Sequence, residues 1–503
     1  MKEKFIITFI SQLITYVIHL LASLLLFLNL EVIILGKWAF INSIVNIGFL
    51  FINIGFETIH LQYSGKDTHS EYFGTFFLIN IILILINLSI SLTLLTFLQL
   101  WNSTYIYLIL ILIFSKITSQ LANIFFIELK CKIKIFKAEI PFFFTKLGKS
   151  ISIFFLFFYL EVFGDPLFLI SISYLIFDLL FLLLLLIFAK RDVKFNRPKK
   201  KYFYHYIKDV KPILLFSVIS VIAINLGELI IRYSVGLESL GYYSLINSYI
   251  ITPLLMISGI FIQLSIVLYS VYFRNENLLK IKQTSYILEK YFSIIFLTFI
   301  IIVFLNGELI FTTFFPNYIN SVQILYILIF IPYFIGITRP YSIPLVAGKK
   351  MRIKYNLSTF TYILIMVLMI FFIPEHFLTF PALGLGIIGS ALGNAIPWSI
   401  WMILNKYYSY KFFDLKPQKG PFLHALFAVI SLFVSTIIRN WFLDIIIKEK
   451  IILLILSTLF LLCIFYSLLF VSKQLKRNDI KFFFKLFDFK SYIVSLKDEF
   501  SSK

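Results

Sequence analysis

The sequence is dominated by long apolar runs, each of which is long enough to cross a bilayer as a helix. Crossing about 30 Å of hydrocarbon takes about 20 residues, and about fourteen such runs follow one another along the 503 residues. Hydrophobic residues make up 60% of the chain and charged residues 14%, whereas a soluble domain is roughly half apolar and a quarter charged. The runs therefore predict an all-α integral membrane protein with about 14 transmembrane helices.

The predicted spans form a series that a basic segment interrupts once. The first run is too long for the ~7–15-residue apolar core of a secretory signal, so we expect it to be retained as a helix. The spans are placed at about 5–30, 38–61, 73–100, 104–128, 139–163, 166–189, 211–233, 241–271, 291–315, 322–347, 355–374, 383–405, 421–438 and 451–472.

Lysine and arginine are concentrated in alternate loops. With these spans, 36 of the 45 basic residues lie in the two chain ends and in the loops on their side, and 4 lie in the opposite loops. Because cytoplasmic loops of membrane proteins carry an excess of Lys and Arg, both termini are predicted to be cytoplasmic, in a cell membrane. The net charge of +20 thus indicates contact with membrane lipids or a signal for orientation, and no nucleic-acid partner is expected.

The spans group into six, six and two. We predict an N-terminal six-helix lobe at 1–190, a basic cytoplasmic linker at 191–210, a C-terminal six-helix lobe at 211–410, an additional helix pair at 411–472 and a basic cytoplasmic tail at 473–503.

A short motif occurs in both predicted lobes. Residues 35–43 read LGKWAFINS and residues 240–248 read LGYYSLINS, six spans later and therefore in the same orientation. Such parallel repeats are typical of transporters whose two lobes enclose a central site. The pattern predicts a parallel repeat of the two lobes.

Motifs of catalysis and of metal or cofactor binding are missing from the sequence. The outward loops are short and their acidic residues stand singly, with no metal-ligand spacing, nucleophile elbow or phosphate-binding loop. The two cysteines, Cys131 and Cys463, are interpreted as inert thiols. We therefore expect neither an enzyme nor a bound cofactor or metal.

Ionisable residues within the spans are the most informative polar positions, because each costs about 2.5–3.5 kcal/mol at the bilayer centre on insertion scales. One interpretation is a cationic cavity that binds an anionic group. The alternative is that Lys146 and Lys149 reach the interface while Lys116 pairs with Asp178. The cations are Lys116, Lys146, Lys149 and Arg339, and the acids nearest to them along the spans are Asp178 and Glu57.

Glu228 and Arg232 are spaced four residues apart in the seventh predicted span. This spacing, with the acid first, favours a local ion pair on one helix. A role in gating or ion coupling is the other interpretation, and Asp178 and Glu57 are candidates for the same role.

Several segments resemble polysaccharide repeat-unit (O-antigen-type) flippases, a branch of the multidrug/oligosaccharidyl-lipid/polysaccharide exporter superfamily. The similar segments are 35–57 and 225–244, with 347–350 and 384–391 further on, and the resemblance covers about residues 5–410. Glu228 stands where the family commonly has Asp, and the last two spans exceed the twelve of many members.

The resemblance implies two six-helix lobes around a cationic cavity. It also implies outward movement of a polyprenyl-diphosphate-linked oligosaccharide by alternating access, for surface polysaccharide biosynthesis. The implied partners are this substrate and membrane lipids, and the resemblance allows for a coupling cation and polysaccharide assembly proteins. Two alternatives stay open: a drug/cation antiporter of the same superfamily, and a membrane glycan polymerase or glycosyltransferase.

Overall fold

The protein folds almost entirely into helices. A computed structural model describes residues 17–18, 20–22, 24, 30–52, 55–64, 69–132, 134–163, 165–348, 350–377, 380–443 and 449–476. Within these ranges the only strands are His376–Phe377 and Phe380–Pro381, which pair antiparallel. The predicted fold class, an all-α membrane protein, is confirmed.

The described residues up to Leu229 form a first compact unit. Its helices are α1 (Val32–Gly48), α2 (Phe56–Ser64), α3 (His69–Phe97), α4 (Ile106–Cys131), α5 (Ile135–Phe163), α6 (Pro166–Asp192) and most of α7 (Lys200–Ser234), with a short 3₁₀ turn at Leu100–Asn102.

The described residues from Ile230 onward form a second compact unit. The division falls within α7, and the predicted lobe boundaries at 191–210 and 411 stay predictions. The helices of this unit are α8 (Leu237–Ile246), α9 (Thr252–Arg274), α10 (Leu278–Phe314), α11 (Ser321–Leu328), α12 (Phe330–Ala347), α13 (Met351–Phe372), α14 (Gly386–Phe413), α15 (Gly420–Ile438) and α16 (Lys450–Val471), with short helical turns at Asn247–Ile251, Pro316–Tyr318 and Arg439–Leu443.

Eleven helical stretches of the described chain are long and apolar enough to cross a membrane. Three further predicted spans differ from these eleven for separate reasons. The first, at 5–30, falls mostly outside the described residues. The second is divided between α1 and α2, and the fifth is α5, whose first half carries several charged residues. The tail predicted at 473–503 also lies outside the described residues, apart from 473–476.

Helix α6 shows how the sequence sets a helix boundary. Asp165 is the N-cap residue, and its carboxylate accepts a hydrogen bond from the Leu167 backbone N–H at 2.9 Å. Pro166 follows at the first helical position, where a missing N–H costs nothing because that group has no partner in the helix. The cap and the proline together start the helix that carries Asp178.

The eighth predicted span is interrupted by a π-helix at Asn247–Ile251, between α8 and α9. Pro253 has no N–H to donate to the carbonyl four residues earlier, so the regular ladder cannot continue through it. The backbone N–H and the hydroxyl of Thr252 both donate to the Asn247 carbonyl, five residues back. The proline thus lies two residues after the end of the π-helical turn.

The last two helices, α15 and α16, pack on α10 in the second unit. Polar side chains join them to it. Asn306 of α10 donates to Thr458 at 2.9 Å and accepts from Ser457 at 2.9 Å, and His424 of α15 lies 3.1 Å from the Ser293 hydroxyl. The additional pair is therefore attached to the second unit by hydrogen bonds as well as by apolar packing.

Candidate functional site

Asp178 of α6 is the centre of a polar cluster in the first unit. It is buried, at 4% exposed. Lys149 of α5 forms an ion pair with it at 2.7 Å, and the hydroxyl of Ser115 on α4 donates to its other oxygen at 2.5 Å. Both carboxylate oxygens are thus bound, each from a different helix. The structure pairs Asp178 with Lys149, whereas the structural alternative weighed above paired it with Lys116.

Gly148 explains how α5 comes close enough to α6 for this ion pair. A Cβ atom at Gly148 would lie 2.1 Å from the ring of Phe177, which is far inside van der Waals contact. Glycine therefore allows α5 and α6 to touch at Gly148 and Phe177. These residues directly precede Lys149 and Asp178 in the sequence. The close approach positions the ammonium group at the carboxylate.

A cavity of about 220 Å³ lies beside this ion pair within the first unit. Lys146 and Lys149, three residues apart and so on one face of α5, both line it. The volume is smaller than the 300–1,000 Å³ typical of sites for drug-sized ligands. The other lining residues are Ile52, Ser119, Gln120, Asn123, Phe126, Phe142, Thr145, Asp178 and Phe181.

Lys116 of α4 adds a third positive charge to this region. It interacts electrostatically with Lys149 and with Asp178, and Lys146 interacts with all three of these charges. Three lysines and one aspartate leave a net charge of +2 when all four are ionised. Charges inside a membrane protein are costly unless compensated, and an anion in the cavity would offset this excess.

Glu57 of α2 is connected to the cavity through Asn123. The Asn123 amide, which lines the cavity, donates a hydrogen bond to the Glu57 carboxylate. Glu57 also interacts electrostatically with Lys130 of α4. The structure therefore places this acid at one side of the cationic region, separated from the lysines by an amide.

Glu228 of α7 lies in a different polar group of the first unit. It is 7% exposed, and the hydroxyl of Ser43 on α1 donates to it. Nearby, the Asn46 amide donates to Asn225 at 3.2 Å. The serine belongs to the repeated Ile-Asn-Ser motif, so this motif contacts the acid that was singled out in the seventh span. Arg232 follows on the same helix but belongs to the second unit.

Arg339 of α12 belongs to the second unit and is in different surroundings. Its Nε is buried and has no hydrogen-bond partner, and no carboxylate forms an ion pair with it among the residues that the structure describes. It interacts electrostatically with Tyr362 and with Lys354, both of α13. A guanidinium group beside a second cation, without an acid, also suits an anionic ligand.

Lys354 is a residue that the sequence reasoning missed as a site candidate. It was assigned to a loop between the tenth and eleventh predicted spans, but α13 begins at Met351 and includes it. Its ammonium group lies 4.3 Å from the centre of the Tyr355 ring. The basic run at 349–354 concealed the helix start, and a boundary one residue earlier would have included the lysine.

Comparisons with known proteins place the fold among membrane transporters. No protein-family model and no curated protein matches the sequence. The chain is similar in structure to the lipid II flippase MurJ in an inward closed conformation, with a TM-score of 0.64 and 18% identity over 91% of this chain and 97% of that one.

Transporters of a second kind share the fold as well. An inward-facing multidrug resistance MATE family transporter of the MOP superfamily has a TM-score of 0.61 and 14% identity, over 79% of this chain and 94% of its own. An outward-facing MATE transporter has a TM-score of 0.55 and 13% identity, over 82% and 96%. At these identities the likeness concerns the fold, which is that of multi-pass membrane transporters.

Proposed function

We propose that this protein is a transporter that moves a polyprenyl-diphosphate-linked oligosaccharide from the inner to the outer leaflet of the cell membrane, by alternating access. The observation that carries the proposal is the cationic cavity of the first unit. Lys146 and Lys149 line it, and Lys116 adds a further charge to its surroundings.

The diphosphate is the part of such a substrate that this cavity suits best. Ammonium groups bind phosphate oxygens through charge-assisted hydrogen bonds. A diphosphate bears about the negative charge that would offset the net +2 of the cluster, and the cavity volume of about 220 Å³ suits a small anionic group. The sugars and the polyprenyl chain would then lie outside this cavity.

Arg339 and Lys354 are proposed as a second set of cations for the same substrate, in the second unit. Acidic sugars or the diphosphate itself are the groups that they would contact.

The candidates for gating or ion coupling are the four residues Glu57, Glu228, Asp178 and Arg232. Lys149 and Asp178, the two charges of opposite sign that line the cavity, are bound to each other at 2.7 Å, so an arriving anion would compete with the aspartate for the lysine.

The membrane orientation belongs to the same proposal. The excess of basic residues in alternate loops supports cytoplasmic termini and a plasma-membrane location. Partners of the protein would be its lipid-linked substrate, membrane lipids, a coupling cation and proteins of polysaccharide assembly.

A drug/cation antiporter is the second candidate, because the MATE transporters share the fold. An organic cation requires a cavity with negative charge or aromatic surfaces. The cavity of the first unit has three lysines against one aspartate in and around it. Its charge therefore favours the anionic substrate.

Flipping in proteoliposomes tests the proposal. The purified protein is reconstituted, and the movement of a fluorescent polyprenyl-diphosphate sugar is followed by the fraction accessible to an external quencher. We expect wild-type protein to flip this lipid and the double variant Lys146→Ala/Lys149→Ala to be slower by about tenfold or more, a barrier increase of about 1.4 kcal/mol. A Lys208→Ala variant, at an exposed position of α7, should flip as wild type.

Two results would count against the proposal. One is equal flipping by the double variant and wild type at equal incorporation. The other is uptake of an organic cation dye by liposomes containing wild-type protein, with no flipping of the lipid, which would favour the antiporter.

A further inference from the structure

A further polar cluster in the first unit is separate from the cavity and contains three residues of types that serve as metal ligands. His60 of α2, Glu128 of α4 and Cys131 at the end of α4 are 1%, 1% and 8% exposed. One ligand atom of each lies within 4.8 Å of the other two. Glu128 and Cys131 are three residues apart and thus share a face of the helix.

The His60 ring is held in one orientation. Its Nδ1 lies 2.5 Å from the Tyr206 hydroxyl, and the ring stacks on Phe76 with centroids 4.0 Å apart and planes inclined by 2°. Its Nε2 lies 2.8 Å from a Glu128 oxygen. Histidines that bind metals through one ring nitrogen usually form a hydrogen bond with the other, which fixes the ring. Tyr206 provides that bond here.

We propose that His60, Glu128 and Cys131 form a binding site for a divalent transition metal ion, with Zn²⁺ as the ion that their chemistry suits best. The ligands would be His60 Nε2, one Glu128 oxygen and the Cys131 sulfur. An imidazole, a carboxylate and a thiolate are all ligands of zinc, and the thiolate disfavours Mg²⁺ and Ca²⁺. This site is independent of the transport proposal.

The charges at the site balance for a divalent ion. A carboxylate and a thiolate offset two positive charges, and the imidazole binds as a neutral ring. Binding requires that the proton between His60 and Glu128 leaves Nε2 and that the thiol proton leaves Cys131. Lys132 lies 3.3 Å from the other oxygen of Glu128, so it stays bound to the carboxylate outside the coordination sphere.

The distances require only small adjustments. Zinc–ligand bonds of about 2.0–2.3 Å place tetrahedral ligands roughly 3.3–3.8 Å apart, which is about 1 Å closer than the upper limit of 4.8 Å observed here. The His60 Nε2–Glu128 pair, at 2.8 Å, would have to open by about 0.5 Å, and the widest separation would have to close by up to about 1 Å. The three protein ligands leave one position for water or a small anion. Because His60 is on α2 and the others are on α4, the ion would join these two helices.

The sequence contains no sign of this site. His60 and Glu128 are 68 residues apart, and Cys131 was interpreted as an inert thiol. The fold alone brings the three together, so a motif search for metal ligands does not detect them.

Cobalt spectroscopy on the full-length protein in detergent tests the site. Co²⁺ takes the place of Zn²⁺, and its bond to a thiolate produces a near-ultraviolet charge-transfer band. After treatment with a chelator, wild-type protein should bind one equivalent of Co²⁺ with this band, and Zn²⁺ should remove it. Cys131→Ser should abolish the band, and Cys463→Ser, at the exposed cysteine of α16, should retain it.

A second measurement uses wild-type protein alone, so that it does not depend on the folding of a variant. Zn²⁺ should slow alkylation of Cys131 by at least fivefold, as measured by mass spectrometry, while alkylation of Cys463 continues at its former rate. The absence of a cobalt band in wild type, a band that survives in Cys131→Ser, or equal alkylation of Cys131 with and without Zn²⁺ would each refute the proposal.

Discussion

Two cations of the membrane-spanning helices, Lys149 in the first unit and Arg339 in the second, have opposite surroundings. In the first, Lys149 has a carboxylate at 2.7 Å, and Ser115 binds the other oxygen of that carboxylate. In the second, Arg339 interacts with another cation, Lys354, and no ion pair joins it to a carboxylate of the described chain. Lys149 thus has a carboxylate partner, as Lys406 of the second unit has in Glu289, and Arg339 does not.

This difference indicates that the Lys149–Asp178 pair contributes to protein stability and that Arg339 contributes to ligand binding. A buried ion pair contributes to holding the helices in place, because removing one partner leaves an uncompensated charge. A guanidinium group with a buried Nε that lacks a hydrogen bond lowers stability, so a ligand is the better explanation for its presence. Substitutions at Asp178 and Arg339 should therefore change stability in opposite directions.

The largest effect is expected for Asp178→Asn. Lys149 would keep its charge and lose its buried partner, so the free energy of unfolding should fall by about 3–5 kcal/mol. Thermal unfolding of the detergent-purified protein measures the change. If Asp178→Asn is as stable as wild type, the Lys149–Asp178 ion pair does not stabilise the fold and the contrast with Arg339 is wrong.

The double variant Asp178→Asn/Lys149→Met is the control for this prediction. It removes both charges, and replacing a buried pair by neutral groups is often neutral for stability. We expect it to recover most of the stability that Asp178→Asn loses. A double variant as unstable as the single one would mean that packing at Asp178 matters more than its charge.

A smaller change of opposite sign is expected for Arg339→Met. Methionine fills a similar space without a charge, so the free energy of unfolding should rise by about 1 kcal/mol. Flipping of the lipid-linked substrate should fall at the same time. Unfolding and flipping are measured on the same preparation. A loss of stability would mean that Arg339 stabilises the fold, as the Lys149–Asp178 pair does.

The smallest effect concerns an exposed ion pair of the second unit. The Lys282 ammonium donates to Asp414 at 2.6 Å, and this hydrogen bond holds the pKa of the carboxyl below its ordinary value of 3.8. A lowered pKa in the folded state stabilises the protein above pH 3.8, and this contribution disappears as the pH falls through the lowered value.

Unfolding of wild type and Asp414→Asn between about pH 6 and pH 3 measures that contribution. Wild type should be slightly more stable above pH 3.8, and the two curves should converge in acid and at high salt. A difference that grows as the pH falls would contradict the assignment.

Much of the fold is predictable because the thickness of the bilayer sets the length of the apolar runs in the sequence. A run of about 20 apolar residues is required wherever a helix crosses hydrocarbon, so the runs at 73–100 and 166–189 correspond to α3 and α6. Helix ends are less predictable, because polar residues can continue a helix beyond the apolar run. Lys354 lies in such an extension of α13.

The repeated Ile-Asn-Ser motif marks another limit of sequence reasoning. In the first unit, Ile41–Ser43 lies within the regular helix α1. In the second, Ile246 ends α8, and the π-helix begins at Asn247. Pro253 follows the second copy, and the first has Gly48 at the corresponding place. Identical residues thus adopt different helical geometry because of a neighbour several residues away.

The sequence by itself determined the apolar character of the spans and the positions of the charged residues along them, since hydropathy and the 3.6-residue helical period are local properties. Lys146 and Lys149 could therefore be assigned to one face of a helix. The tertiary structure alone decided which charges meet. Asp178 pairs with Lys149 rather than Lys116 because Gly148 lets α5 approach α6, and this approach depends on packing between helices distant in sequence.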